Sequence, residues 1–285
     1  MLIGAHVSTA GGVSKAIARA EELGAECMQI FASSPRAWKA GPVANAEAAK
    51  FCAEVARAKL GPTVIHGKYL CALGAPDPEL VEKSVTALTA DMQVSEQLGA
   101  LGVIFHPASH RGQGLDAVFN QFVEGVGRIL DGAPGKSLLM LEISAGSGDH
   151  IGSKLTDLGR IVKAVGSPRV AICLDTQHSW AAGYDVASHD GLEKMMDEFD
   201  REIGLGLLRA VHANDSKKEL GSAVDRHDNI GEGLIGRAGF VNIMSHPAFR
   251  NVPFYLEVPG FEKTGPDKPN VDALKEIRAE LGVPA

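Results

Sequence analysis

Several short apolar runs of this sequence end on a side chain that binds metal ions. His66 closes TVIH, His106 closes GVIFH and Glu142 closes LLMLE; Asp175 and His178 close ICLDTQH, His212 closes RAVH and Glu257 closes FYLE. A lone histidine or glutamate in such a place is ordinarily a hydrogen-bonded or ion-paired structural residue. Four imidazoles and three carboxylates in equivalent places are a different matter. Buried together without a cation they would carry a heavy desolvation cost, which bound metal removes. Imidazole with carboxylate and no thiolate suits zinc, and also manganese or iron(II). Seven ligands exceed what one tetrahedral ion takes.

The stretch VDRHDNIGEG, from Val224, adds to this set. It is Gly-rich and has no apolar periodicity, as a loop should. In extended backbone, residues i and i+2 point the same way, so Asp225 and His227 can share one target. With them the candidate ligands number nine, enough for two to three ions with positions left for water or substrate.

The elements that must position these residues alternate along the chain. Strand candidates are LIGAHVS, CMQIFAS, TVIHG, GVIFHP, SLLMLEIS, VAICLDTQH, LLRAVHAND and FYLEVP. Between them lie helix candidates such as GVSKAIARAEELGA, AEAAKFCAEVARAKLG and PELVEKSVTALTADMQVSEQLGA. In the last, Leu80, Ser84, Leu88 and Met92 recur at helical spacing. Gly24, Gly61, Gly99 and Gly166 are read as helix ends. Eight strand–helix units predict an α/β fold, a (β/α)8 TIM barrel, as one domain over 1–285. In that architecture the C-terminal strand ends converge on one face, where active sites are built. Ser216 to Ile235, after the seventh strand, reads as a long irregular insertion.

Composition excludes little else. Apolar residues make up 45% of 285 residues, enough for a large core. No apolar run reaches the roughly 20 residues of a membrane-spanning helix, so no membrane association is expected. MLIGAHVSTAGG lacks the basic-then-apolar pattern of a signal peptide. Cys27, Cys52, Cys71 and Cys173 are scattered and read as buried small residues in a reducing, cytoplasmic compartment. The net charge of −7 argues against nucleic acid when taken alone. Three divalent cations would nearly cancel it, so charge decides nothing before the metal question does.

With these residues in view, the chain resembles the endonuclease IV family of apurinic/apyrimidinic endonucleases over essentially its whole length. The motifs are GAHVSTAGG, FASSPRAWKA, HGKYL, FHPASH, LEISAGSG, CLDTQHSWAAGYD, HANDSK, VDRHDNIGEG and LEVPG, the last five in the family's order. The resemblance implies a DNA repair hydrolase that cuts the phosphodiester 5′ to an abasic site in double-stranded DNA. The products would be a 3′-hydroxyl and a 5′-deoxyribose phosphate. It also implies a monomer and three zinc ions per chain, with manganese an alternative at one. By motif, His66, His106 and Glu142 would hold one ion. Glu142, the catalytic carboxylate, would bridge to a second, held also by Asp175, His212 and Glu257. His178, Asp225 and His227 would hold the third. Arg36, Tyr69 and Leu70 would open and contact the DNA, with Trp38 and Lys39 adding surface and Arg226 facing the phosphates.

His6 is read as a residue that orients a ligand, and His110, His189 and His246 as surface or capping residues; His150, after the AGSG turn, is read the same way, with reach into the site as its alternative. Gln177 stands where many family members have Cys, and Ser34, Ile143, Ser144 and Ser147 also depart from the common pattern. Contacts to the lesion strand are where these departures would act. The alternative is a metal-dependent sugar isomerase or epimerase on the same barrel, since the architecture hosts many chemistries. The loop pair Asp225/His227 and the extra His178 favour a third metal over that reading. A non-enzymatic metal- or DNA-binding protein would not need a recessed site with open coordination.

Overall fold

The computed structural model describes residues 1–38 and 42–285; Lys39 lies outside the described residues. Eight parallel strands close a barrel. In chain order they are β1 (Ile3–His6), β2 (Met28–Phe31), β3 (Thr63–His66), β4 (Gly102–Phe105), β5 (Leu138–Glu142), β6 (Val170–Asp175), β7 (Leu208–His212) and, after two short strands, β10 (Phe254–Leu256), which pairs with β1 and β7. Around them lie α1 (Lys15–Leu23), α2 (Asn45–Ala58), α3 (Pro78–Leu98), α4 (Leu115–Gly132), α5 (Leu155–Val165), α6 (Thr176–Ala182), α7 (His189–Glu202), α8 (Gly236–Ser245) and α9 (Lys268–Glu280). All eight strand candidates are strands, and the barrel is the one expected.

Parallel strands are covered on both faces, so they read as near-continuous apolar runs. Their alternation still sorts the side chains. Cys27, Val64, Ile104, Met140, Ala171, Cys173, Ala210 and Tyr255 form one buried cluster, apart from the larger one that includes residues of strands and helices alike. Successive strand residues point to opposite faces, so the next residue on the inner face stands two positions further on. Two positions beyond members of the inner cluster stand Gln29, His66, His106, Glu142, Asp175, His212 and Glu257. The polar layer therefore sits directly above an apolar one. In β1 the corresponding inner residue is Gly4, where a Cβ would lie 1.9 Å from the carbonyl oxygen of Cys27, and two positions on is His6.

Four expectations need correction. Gly24, Gly99 and Gly166 do end helices in the left-handed conformation, but α2 ends on Lys59, at φ 53°. Gly61 is instead pressed into the following loop, where its N–H donates to Glu26 O. Cys52 is exposed on α2, whereas the other three cysteines are buried. The strand that leads to His178 stops at Asp175; the apolar run continues straight into α6, and Asp175 caps that helix by accepting from the His178 N–H at 2.8 Å. Finally, the insertion after β7 is not wholly irregular. β8 (Asp215–Ser216) and β9 (His227–Asp228) pair antiparallel within it. The buried carboxylate of Asp215 accepts from the backbone N–H of Gly231, Gly233, Ile235 and Gly236, so the Gly-rich stretch folds around one side chain. A Cβ at Gly233 would lie 2.5 Å from Asp215 Oδ1. Among the described residues, no helix is long and apolar enough to cross a membrane.

Candidate metal centre

The barrel mouth brings all nine candidate ligands together. Glu142 stands at the centre, fully buried at the end of β5. Its Oε2 lies 3.6 Å from His66 Nε2 and 3.4 Å from His106 Nδ1. Its Oε1 lies 2.8 Å from His212 Nδ1 and 3.3 Å from His178 Nδ1. Each oxygen thus faces a different set of imidazoles, as a carboxylate shared between two ions must. His212 Nδ1 also lies 3.4 Å from Glu257 Oε2 and 3.8 Å from Asp175 Oδ2.

Three clusters have donor atoms close enough to hold an ion: His66 with His106 and Glu142; Glu142 with Asp175, His212 and Glu257; and Asp175 with His178 and His227. Asp225 flanks the third, its two oxygens 3.4 Å from Nε2 of His178 and 3.4 Å from Nε2 of His227. Asp175 Oδ2 lies 3.8 Å from the same His227 nitrogen. The loop pair therefore faces the His178–Asp175 pair from one side.

The histidines are held in one orientation by their outer nitrogens. His66 Nδ1 meets Gly67 O at 2.7 Å, His178 Nδ1 meets Ile143 O at 2.9 Å and His227 Nδ1 meets Glu257 O at 3.3 Å. A carbonyl can only accept, so each of these nitrogens carries a proton and the other is left for a ligand. Hydrogen bonds of this kind fix the tautomer of metal-binding histidines.

The electrostatics call for cations. Burial pushes His106 down to about 4, and it does the same to His6. Burial opposes charge at His178 too, yet Asp175, Asp225 and Glu142 raise it well above the ordinary imidazole value. Burial is likewise outweighed at His212, by Cys173, Glu257 and Glu142. Against their own burial, Glu142 is held well below the usual carboxylate range by His106, His212 and His178, and Glu257 is held at about 2 by His212 and His66. Glu142 Oε2 and His227 Nε2 are both buried without a hydrogen-bond partner among the described residues. These orphaned atoms, pointing into the donor clusters, are what a metal centre leaves when only its ligands are counted, so the residues present fit bound divalent ions.

Of the DNA-contact candidates, Tyr69 lines the cavities at this mouth. Tyr69 follows β3 and is 53% exposed, with its ring edge-on to His66 at 5.3 Å and to Phe31 at 5.5 Å. Leu70 is half-buried; Arg36 and Arg226 are exposed. The Arg226 guanidinium donates to Asp225 O at 2.7 Å. Trp38 is partly buried against the core.

Two of the departures from the family pattern brace the ligand loop. Gln177 donates to Val224 O at 3.0 Å and Ser147 to Ala223 O at 2.8 Å, on the two residues before Asp225. His110 and His246 cap local turns, accepting from the N–H groups of Gly114 and Ala248, and His189 is exposed at the start of α7. His150 is exposed, and it also lines a cavity of about 260 Å³ together with Tyr69, His106, His178 and Asp225. Sequence reasoning also missed Gln29 and Asn214. The amide of Asn214 donates to Asp175 Oδ2 at 2.7 Å, and its carbonyl accepts from the Glu257 N–H at 2.9 Å. Both residues are neutral amides, Gln29 inside an apolar strand and Asn214 in the short connection between β7 and β8, and only the two-residue alternation points to Gln29.

Fold and site together define a xylose isomerase-like TIM barrel, and the model of that family matches residues 17–280. A probable endonuclease 4 of Halothermothrix orenii is 40% identical over 276 residues, covering 96% of this chain and 99% of that protein. The crystal structure of endonuclease IV from Thermus thermophilus superposes with a TM-score of 0.85 at 35% identity, covering 99% of each chain. The chain belongs to the endonuclease IV family of nucleases, which are hydrolases. A 3-keto-D-glucoside 4-epimerase from E. coli shares the fold at a TM-score of 0.71 but only 15% identity.

Proposed function

We propose that this chain, as one domain over 1–285, hydrolyses the phosphodiester 5′ to an abasic site in double-stranded DNA, using three zinc ions held by the nine candidate ligands. The observation that carries this reading is the set of three abutting donor clusters, with Glu142 in two of them and Asp175 in two. A sugar isomerase would need one or two ions and no third cluster built from a separate loop.

Bound divalent ions would lower the pKa of water and neutralise charge at phosphorus, stabilising attacking and leaving oxygens together. The protein residues do the rest. Glu142 shares its two oxygens between clusters and keeps them a fixed distance apart. Asp225 and His227 close the third cluster from the loop side. Three adjoining cavities, of about 680, 310 and 260 Å³, cross the mouth; the first two share His6 and Phe31 as walls, and the last two share Tyr69. A groove of that extent suits a polymer strand better than a small sugar. A damaged, unpaired nucleotide costs least to extrude toward a recessed site. Tyr69 and Leu70 would open the duplex, with Arg36 and Arg226 against the phosphates. Action as a monomer in the cytoplasm, and manganese as an alternative at one position, are parts of the same reading that rest on the family resemblance.

The test is a duplex with one abasic site incubated with metal-loaded protein. Incision leaving a 3′-hydroxyl and a 5′-deoxyribose phosphate is expected. Intact DNA together with turnover of a free ketose or aldose would overturn the reading.

A further inference from the structure

The outer nitrogens of His66, His178 and His227 are held by backbone carbonyls. His212 differs. Its Nε2 meets a side chain, Gln29 Oε1, at 2.7 Å. Gln29 is fully buried in β2, paired in register with His6 of β1. Its amide nitrogen lies 2.5 Å from Glu257 Oε1 and 3.1 Å from His6 Nδ1. Every polar atom of this amide is used, and each partner is a residue of the mouth.

The orientation of the amide follows from chemistry. An ionised carboxylate only accepts, so the group facing Glu257 is the NH2. The oxygen then faces His212 and can only accept, so the proton of a neutral His212 sits on Nε2. That leaves Nδ1 as the nitrogen able to bind an ion; it faces Glu142, Glu257 and Asp175, and with no ion bound it is the N–H that donates to Glu142 Oε1 at 2.8 Å. The second amide hydrogen points at His6 Nδ1, 3.1 Å away, which must accept.

We propose that Gln29 is a positioning residue for the central cluster: it selects the His212 tautomer that presents Nδ1 to the ion, and it ties one oxygen of Glu257 so that the other turns toward the same point. The inference rests on the metal reading above and deepens it by assigning a residue that is not itself a ligand. Partners of this kind commonly govern about 10–100-fold in metal affinity or activity.

Gln29→Met keeps length and bulk while removing both hydrogen-bonding roles. Zinc stoichiometry and loss to a chelator should be followed in the parent and the variant, with cobalt substituted for zinc to read coordination from the visible spectrum. One of the bound ions is expected to leave on the order of 10–100-fold faster, with the others unchanged and an altered cobalt spectrum. The metal-free variant is expected to melt somewhat lower, because the buried partners of the amide lose it, so metal retention and not melting carries the decision. If Gln29→Met does not fold, Gln29→Ala, which leaves room for water, carries the same expectation. A parent that binds metal and a folded variant that holds every ion as tightly, with the same cobalt spectrum, would overturn the role of Gln29 and leave the metal centre standing. A shift in metal-free melting with unchanged metal retention would likewise reduce Gln29 to packing. A parent that binds no divalent ion would overturn the metal reading itself.

Discussion

Asp225, on the loop after β7, sets its Oδ2 3.4 Å from Nε2 of His178, on the first turn of α6. The carboxylate is more than half exposed, yet His178 and His227 hold it ionised against the burial of its inner side. An acid placed between two imidazoles on separate elements is what a shared metal ligand would look like, and a simple ion pair is the alternative the variants separate. Asp225→Asn and His227→Ala are therefore each expected to lower metal content by about one ion per chain and to cut incision by roughly 10–100-fold. Elemental analysis of both variants decides it: a solvated loop with no ligand role predicts an unchanged count.

Glu142→Gln probes the carboxylate that faces two clusters. The substitution keeps the size but replaces one acceptor oxygen with a donor aimed at an imidazole, in a position with no access to water. Incision should fall by more than about 100-fold, while the barrel stays folded and abasic duplex still binds. Near-normal turnover at matched metal content would show that Glu142 is not shared between ions.

A pH dependence of stability comes from a residue outside the centre. Asp91 of α3 is 2% exposed, and its Oδ2 has no hydrogen-bond partner among the described residues. Burial pushes its carboxyl up to about 6, only partly opposed by Lys68 and His66. The folded chain then keeps a proton that the unfolded chain releases near pH 4. Between these values folding binds the extra proton, so stability falls as pH rises through the window, and the penalty is complete above pH 6. Asp91→Asn should stabilise the metal-loaded protein at pH 8 by on the order of 1–3 kcal/mol, and by less at pH 5. Denaturant melts at the two pH values check this, and an equal effect at both would refute it.

The polar layer at the strand ends is legible because doubly covered strands have no ordinary reason to end on His, Asp or Glu. The same periodicity that builds the apolar layer of Val64, Ile104, Met140 and Tyr255 puts His66, His106, Glu142 and Glu257 one step above it. His178 was placed on a strand end because LDTQH carries no punctuation between strand and helix; the cap is Asp175 itself, a residue already read as a ligand. Asn214 and Gln29 escaped because an uncharged amide signals neither metal nor charge, and its role shows only in what its two ends touch. The pairing of β8 with β9 escaped because it spans two residues on each side of a loop, too few for any alternation to register.

Lesion recognition gives the last prediction. Tyr69 and Leu70 follow directly on the strand that delivers His66, and the Tyr69 ring packs edge-on against His66 and Phe31 while more than half of the residue remains exposed. A large apolar ring left open at the rim of a polar mouth is suited to insert between bases. Apolar wedges of this kind unstack and kink DNA at a cost of a few kcal/mol per step, offset by contacts to the bent backbone. Tyr69→Ala combined with Leu70→Ala should weaken binding and incision of an abasic site within a continuous duplex. The loss should shrink on a gapped substrate, where less unstacking is needed. Metal content should not change, because neither side chain offers a ligand. An equal loss on rigid and flexible substrates, or a loss of zinc, would mean that these residues support the His66 side of the centre rather than open the helix.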